Sequence, residues 1–275
     1  MSLSVIIPTF NRVETLERAL SSVFAQSLPD SIMSMQVIVV DDGSSDGTSE
    51  MVANLFPQVE YLQQENSGVS RTRNLGIQAA SGEWLALLDS DDQWLDDKLI
   101  KQFELLQQSG LLVCHGEEIW IRNGVRVNQM NKHQKFGGWI FEKCLPLCAM
   151  SPSSIIIHQS VLAAVGLFDE QLPVCEDYDL WLRITAKFEV AFEPQPCIKK
   201  FGGHDDQLSR QYWGMDRYRV IALDKILKTD LTAKQRIAAN TMINTKLNIL
   251  LSGAQKHNNT ALQQECHTLL KRWPK

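Results

Sequence analysis

Residues 84–95 read WLALLDSDDQWL. An apolar run from Trp84 to Leu88 stops at Asp89, Asp91 and Asp92, and a second apolar cluster follows. Like charges this close repel and raise one another's pKa. A cation, or a ligand that brings one, relieves the conflict; a loop or helix N-terminus that tolerates acids is the plain alternative. The unbroken apolar run fits a strand buried on both faces, as in parallel sheets covered by helices.

The sequence on either side repeats this design. LSVIIPTF (3–10) is a β-branched run ended by Pro8, and MQVIVVDDGSSDGT (35–48) is a second buried strand that stops in a Gly/Ser/Asp turn. Between them Leu16, Ala19, Leu20, Val23 and Phe24 recur at helical spacing, with Asn11 as the expected N-cap. Met51, Val52, Leu55 and Phe56 mark a second helix, Val59 to Leu62 a short strand, and residues 66–80 a loop leading into a third helix. Leu95, Leu99, Phe103 and Leu106 give the next helix face. Strands alternating with helices predict an α/β fold with a Rossmann-like, mostly parallel sheet flanked by helices. Such sheets bind ligands beyond the carboxyl ends of their strands, where Asp41/Asp42 and Asp89/Asp91/Asp92 fall.

The middle of the chain is less regular. LVCHGEEIWIRNGVRV (112–127) alternates like a hairpin about Asn123-Gly124. Residues 153–166 read as a strand and a helix closed by Gly166, and Glu176-Asp177 open a helix faced by Leu180, Trp181, Ile184 and Phe188. Beyond about residue 211 every segment is helical. The expected organisation is an α/β domain over 1–210 and a helical C-terminal extension over 211–275.

Composition bounds the function classes. The chain has 275 residues, 44% hydrophobic and 21% charged, as in an ordinary globular protein. Its net charge is −5, yet the last 65 residues carry 11 Lys+Arg against 4 Asp+Glu. A basic extension of this kind is usually a solvated helix face, and peripheral contact with anionic lipid headgroups is the alternative; no nucleic-acid partner is expected. The six cysteines form no CxxC pair, so reduced thiols in a cytoplasmic protein are expected. The N-terminal MSLSVIIPTF lacks the charged region and longer apolar core of a signal peptide. A cytoplasmic location, at most peripheral at the inner face of a membrane, is the expectation.

DGSSDG (42–47) matches the start of a calcium loop, but the twelfth position is Ala53, where a bidentate Glu is required. No GxGxxG follows the first strand and no Walker lysine motif occurs. In DSDD, Asp91 suits a hard divalent cation, and Asp89 suits a ribose or the same ion through water; Mn²⁺ or Mg²⁺ held this way keeps positions open for phosphate oxygens. Asp177, with Glu176 beside it, is either a general base or an acid favoured by the first turn of a helix. His204, after two glycines, is a candidate for metal or phosphate, against a structural role. Arg73 and Asn74 are candidates for a nucleotide's phosphates or carbonyls, against an exposed helix turn.

SVIIPTFNR, VIVVDDGSSDGT, NSGVSRTRN, LLDSDD, GLFDE and EDYDLWLR occur in the order and approximate spacing of the family 2 glycosyltransferases, which the chain resembles from residue 3 to about 210. The resemblance implies the GT-A fold, a nucleotide-diphospho-sugar donor, a divalent metal and inversion at the anomeric carbon. It implies that Pro8 and Thr9 line the nucleotide pocket and that Asp42 reads the base edge with Asp41 beside it. It places Arg73 close to the nucleotide, makes Asp89 and Asp91 the DxD motif, and gives His204 a metal or diphosphate role. It also makes Asp177 the catalytic base. The expected activity is transfer from a UDP-sugar to a saccharide or lipid-linked saccharide in surface polysaccharide or glycan synthesis. An inactive nucleotide-sugar-binding partner subunit is the alternative, and nucleotidyl transfer, which would want a Gly-rich phosphate loop after the first strand, is the third reading. Residues 199–219 and the helical extension depart from the barer family pattern.

Overall fold

In the computed structural model, which describes residues 1–203 and 212–274, the chain builds one nine-stranded sheet between two helical layers. Along it come β1 (Ser2–Thr9), α1 (Val13–Phe24), β2 (Ser34–Asp41), α2 (Thr48–Leu55), β3 (Glu60–Gln63), α3 (Val69–Ala79), β4 (Trp84–Leu87), β5 (Gln93–Trp94) and α4 (Lys98–Ser109). Then follow β6 (Val113–Arg122), β7 (Val125–Val127), a short α5 (Phe141–Cys144), β8 (Ile156–His158), α6 (Gln159–Val165), α7 (Glu176–Thr185) and β9 (Ala191–Gly202). The described chain closes with α8 (Met215–Ile226), α9 (Ala233–Lys256) and α10 (Thr260–Arg272).

The strand order is β3-β2-β1-β4-β8-β6-β9-β5, with β7 hairpinned onto β6. The first four are parallel, as the βα alternation predicts. The other half is mixed: β8 runs antiparallel between β4 and β6, β9 is parallel to β6, and β5 is antiparallel to β9. The predicted hairpin forms, with Asn123 and Gly124 both at positive φ. No strand was anticipated over residues 191–202. Pro194 and Pro196 hide its alternation, and the register with β6 is broken beside them.

After β1 the chain moves outward to β2 and β3, then returns past β1 to β4. The order therefore reverses between β1 and β4, and the crevice beyond Thr9 and Leu87 is a topological switch point.

Side chains alternate across β1. Leu3, Val5 and Ile7 enter a core with Leu16, Leu20, Val52 and Phe103. Ile6 enters the opposite core with Ile38, Leu180 and Trp181, which continues through Val220, Leu223, Ile243 and Leu247 of the C-terminal helices. On that side α3 lies almost against β1: a Cβ on Gly76 would sit 2.5 Å from Ile6 Cγ2. Only glycine permits this approach, and it sets the helix's buried polar residues over the strand ends.

Much of the basic charge of the extension is matched within the fold. Lys225 pairs with Asp169 and Asp179, Lys246 and Arg219 with Asp216, and Lys228 and Arg272 with Asp224. Among the described residues, no helix is long and apolar enough to cross a membrane.

Candidate active site

The turn after β2 is built by its own acids. Asp41, fully buried, accepts at Oδ1 from Ser44 N (2.9 Å) and Ser44 Oγ (2.5 Å), and at Oδ2 from the Tyr61 hydroxyl. That pattern closes the turn. The Asp42 carboxylate accepts from Ser67 N (2.8 Å), Gly68 N (2.9 Å) and Gln64 Nε2 (2.7 Å), so it holds the entry to α3. Asp46 reaches across to α1, where Oδ2 accepts from Val13 N at 3.0 Å. Asn11, expected as the N-cap, is instead left-handed (φ 49°) and accepts from Ser45 N at 2.8 Å. The helix is capped from another loop, a contact that local sequence cannot display.

Helix α3 turns a polar face inward, with Ser70, Thr72, Arg73 and Asn74 buried. Asn74 both donates to Phe168 O (2.9 Å) and accepts from Phe168 N (3.0 Å), fixing the GLFDE segment. Arg73 spans the cleft: Nη1 donates to Glu176 Oε1 at 2.6 Å and Nη2 to Asp89 Oδ1 at 2.7 Å. The two acidic centres, far apart in sequence, thus share one guanidinium.

The three DSDD acids divide their work. Asp89 and Asp91 stay partly exposed at the mouth of the switch point. Asp92 is buried and accepts from Ser153 Oγ (2.6 Å) and Phe201 N (2.9 Å), so it is a strut. Burial raises its pKa, as do Asp91 and Asp89, while Lys200 opposes them. The Arg18 guanidinium packs 3.8 Å over the Phe201 ring and donates to the Asp91 carbonyl. Lys200 Nζ donates to Ser151 Oγ at 2.7 Å; burial lowers its pKa, but Glu118, Asp92 and Asp89 more than reverse this and keep it charged. This cation at the back of the acidic mouth carries no local sequence signal, because it arrives on β9, whose period the prolines hide.

Helix α7 supplies the second centre. Asp177 is half-buried; Oδ1 accepts from Tyr178 N (2.7 Å) and Oδ2 from the Cys148 thiol (3.0 Å). Burial and Asp177 push Glu176 up to about 7, with Arg73 opposing. Two residues later the motif becomes architecture. Asp179 binds Arg183 (2.8 Å) and Lys225 (2.7 Å), and Arg183 donates to the carbonyls of Val165, Gly166 and Leu167.

Thr9 lies at the end of β1, in register with Asp41 and next to Pro8, and its buried Oγ1 has no hydrogen-bond partner among the described residues; Arg73 Nε is likewise without one among them. Unsatisfied buried polar atoms are rare and mark places where a water or ligand completes the structure. Among the described residues no three His, Cys, Asp or Glu side chains form a metal cage. Asp89 and Asp91 still fit Mn²⁺ or Mg²⁺ by their chemistry, since these ions need one or two carboxylates when phosphate oxygens complete the shell. His204 lies outside the described residues.

A mixed sheet with carboxylates beyond its parallel strands is an α/β arrangement of the kind that binds ligands outside the carboxyl ends of its strands. The family model for glycosyl transferase family 2 matches residues 4–160, and the chain belongs to that family. The fold is GT-A. It superposes on S. aureus TarS residues 1–349 in complex with UDP-GlcNAc at TM-score 0.72, with 21% identity over 92% of this chain and 73% of that one. It superposes on the Pyrobaculum calidifontis mannosyltransferase PcManGT, in complex with GDP-Man and Mn²⁺, at TM-score 0.63, with 17% identity over 98% and 80%. In sequence it is 29% identical, over 66% of its length and 68% of the relative's, to Escherichia coli WfgD, a UDP-Glc:α-D-GlcNAc-diphosphoundecaprenol β-1,3-glucosyltransferase. A Rickettsia conorii glycosyltransferase is 28% identical over 76% of this chain, which spans only 32% of that relative's length.

Proposed function

We propose that the protein is a metal-dependent, inverting glycosyltransferase that moves a sugar from a UDP-sugar to an acceptor hydroxyl, in the synthesis of a surface polysaccharide or lipid-linked glycan. The observation that carries this reading is the Arg73 bridge between Asp89 and Glu176, which brings the DSDD mouth and Asp177 into one cleft at the switch point. WfgD and TarS, described with UDP-sugars, favour UDP over the GDP of PcManGT, and WfgD's diphosphoundecaprenol acceptor favours a lipid-linked glycan.

In this reading Pro8, Thr9 and Asp42 line the nucleoside pocket, and Asp41 holds its turn in place. Asp89 and Asp91 hold Mn²⁺ or Mg²⁺ together with the donor's diphosphate, with His204 as a further candidate. When bound, the metal supplies Lewis-acid neutralisation of charge on the leaving diphosphate. Arg73 fixes Asp89, and Lys200 adds positive potential behind it. Asp177 takes the acceptor hydroxyl's proton. Direct displacement asks for one base only, and inversion follows from attack on the face opposite the diphosphate. Glu176, bound to Arg73, fixes the first turn of α7 and thereby the base. A lipid-linked acceptor would bring the protein to the inner face of a membrane, where the basic extension could meet anionic headgroups.

Calorimetric titration with UDP, GDP and dTDP, each with and without Mn²⁺, tests the reading. Metal-dependent binding of UDP is expected. Failure to bind any of the three would move the inactive-partner reading to the front.

A further inference from the structure

Among the described residues, the side-chain donor to the Asp177 carboxylate is a thiol. Cys148 Sγ lies 3.0 Å from Asp177 Oδ2 and 3.2 Å from the Met150 carbonyl. A thiol has a single proton, so it serves one of these acceptors at a time. It is also both a weak donor and a weak acceptor. With Asp177 ionised, S–H donates to Oδ2. With a proton on Oδ2, the carboxylic acid donates to sulfur and S–H turns to Met150 O. Both protonation states of Asp177 therefore keep a partner without movement of the backbone.

The loop that carries Cys148 is held from several sides. Tyr178 Oη donates to Leu145 O (2.6 Å), Lys246 Nζ to Pro146 O (2.9 Å), Trp181 Nε1 to Met150 O (2.9 Å) and Lys200 Nζ to Ser151 Oγ (2.7 Å). The sulfur is consequently a fixed point, and Asp177 is referred to it.

We propose that Cys148 is the positioning residue of the base: it orients the Asp177 carboxylate before proton transfer and receives its hydrogen bond afterwards. This rests on the reading of Asp177 as the base. A hydroxyl in its place would hold the ionised form more strongly, because O–H is the better donor, and would lower the basicity of Asp177. Other charged and titratable groups also face this pair. Glu176 and Cys175 adjoin it on the chain, Cys144 lies on α5, Lys200 on β9, and Arg219, itself paired with Asp216, on α8. All are unchanged in the variants below, so differences between variants report Cys148 alone.

The contact is tested without turnover, by peptide-mapped alkylation of Cys148 with iodoacetamide at pH 8 in the full chain. In Asp177→Asn the thiol loses its anionic acceptor, so alkylation should accelerate by about tenfold for each unit its pKa falls. Equal rates in the wild type and Asp177→Asn would overturn the proposal. The catalytic consequence is tested by UDP release from UDP-glucose in Mn²⁺, with water taking the glucosyl group in place of the acceptor hydroxyl. Cys148→Ala should lose about tenfold in kcat, the low end for positioned acid–base catalysis, with KM for UDP-glucose and UDP affinity unchanged. Cys148→Ser should recover kcat at neutral pH and move the acidic limb of its pH profile to lower pH. Wild-type kcat in Cys148→Ala, beside an inactive Asp177→Asn, would remove the positioning role and leave the base assignment standing. Full activity in Asp177→Asn would remove the base assignment, while the alkylation rates would still report the contact.

Discussion

Arg73 Nη1 lies 2.6 Å from Glu176 Oε1 although 103 residues separate them, and the other arm of the same guanidinium binds Asp89. One cation bridges two carboxylates drawn from distant parts of the chain. Arg73→Met strands both, and breaking a buried pair in this way costs about 3–5 kcal/mol. Urea unfolding of Arg73→Met should show a loss of that size, and UDP affinity should fall with it. Arg73→Lys keeps the charge but not the fork, so it should fall between. Unchanged stability in Arg73→Met would mean that the bridge is incidental.

Asp177→Asn and Asp91→Ala should fail in different ways. The first should lose at least 10²-fold in transfer, within the range assigned to positioned acid–base groups, and keep metal-dependent UDP binding. The second should lose the Mn²⁺ dependence of UDP affinity. Steady-state UDP release and calorimetry on both variants separate the roles. Identical UDP affinity in Mn²⁺ for Asp91→Ala and wild type would end the DxD reading of this loop.

Gly76 is the point at which α3 meets β1. Its missing Cβ would lie 2.5 Å from Ile6 Cγ2 and 3.1 Å from Val40 Cγ2. Gly76→Ala gains helix propensity of up to about 1 kcal/mol and should still destabilise by about 1–3 kcal/mol through overpacking. The more specific expectation is weakened UDP binding, because the displaced helix carries Arg73. Thermal unfolding and calorimetry on one preparation test both.

Two buried groups give opposing pH dependence. Burial and Asp177 raise Glu176 from 4.5 to about 7, while burial and Lys135 lower His115 from 6.5 to about 3. Between pH 4.5 and 6.5 the folded state holds a proton at Glu176 that the unfolded chain has released. It lacks one at His115 that the unfolded chain binds. Acidification in this window stabilises through the first and destabilises through the second, each by about 1.4 kcal/mol per pH unit per proton. The wild-type profile should therefore be shallow from these two groups. His115→Gln should gain stability relative to wild type as pH falls from 6.5 to 5, and Glu176→Gln should lose it. Below pH 4.5 Glu118 adds a loss: burial would raise its pKa, but Lys135 and Lys200 hold it at about 2, so its contribution disappears as pH falls through that range. Urea unfolding at stepped pH measures all three; parallel profiles for wild type and His115→Gln would refute the account.

The half of the fold legible in sequence is the half whose contacts are local in kind. Apolar runs, ended by Pro8 in the first case and by acids in the other two, identify β1, β2 and β4, and their helices follow from spacing. Strand β9 was invisible because prolines, a broken register and charged residues obscure its period, although it delivers Lys200 and Phe201 to the site. The candidate residues were legible as residue types, but their division of labour was not. Asp41, Asp42 and Asp46 look alike in a row; their partners, Tyr61, the entry to α3 and Val13, come from three different places. Cys148 carried no signal at all, since a lone cysteine acquires meaning only from the carboxylate that folding brings to it.

Lys246 has a further consequence. From the middle of α9 its ammonium is shared between Asp216 and the Pro146 carbonyl, at the head of the segment that carries Cys148. This tie to the segment that carries Cys148 stands beside the Lys225 pairs with Asp169 and Asp179. Grafting the α8–α10 segment of another family member onto this sheet, to redirect acceptor choice, would sever the Lys246 tie unless the donor segment brought an equivalent of the Lys246–Asp216 pair. Chimaeras that retain the pair should be more active than those that lose it.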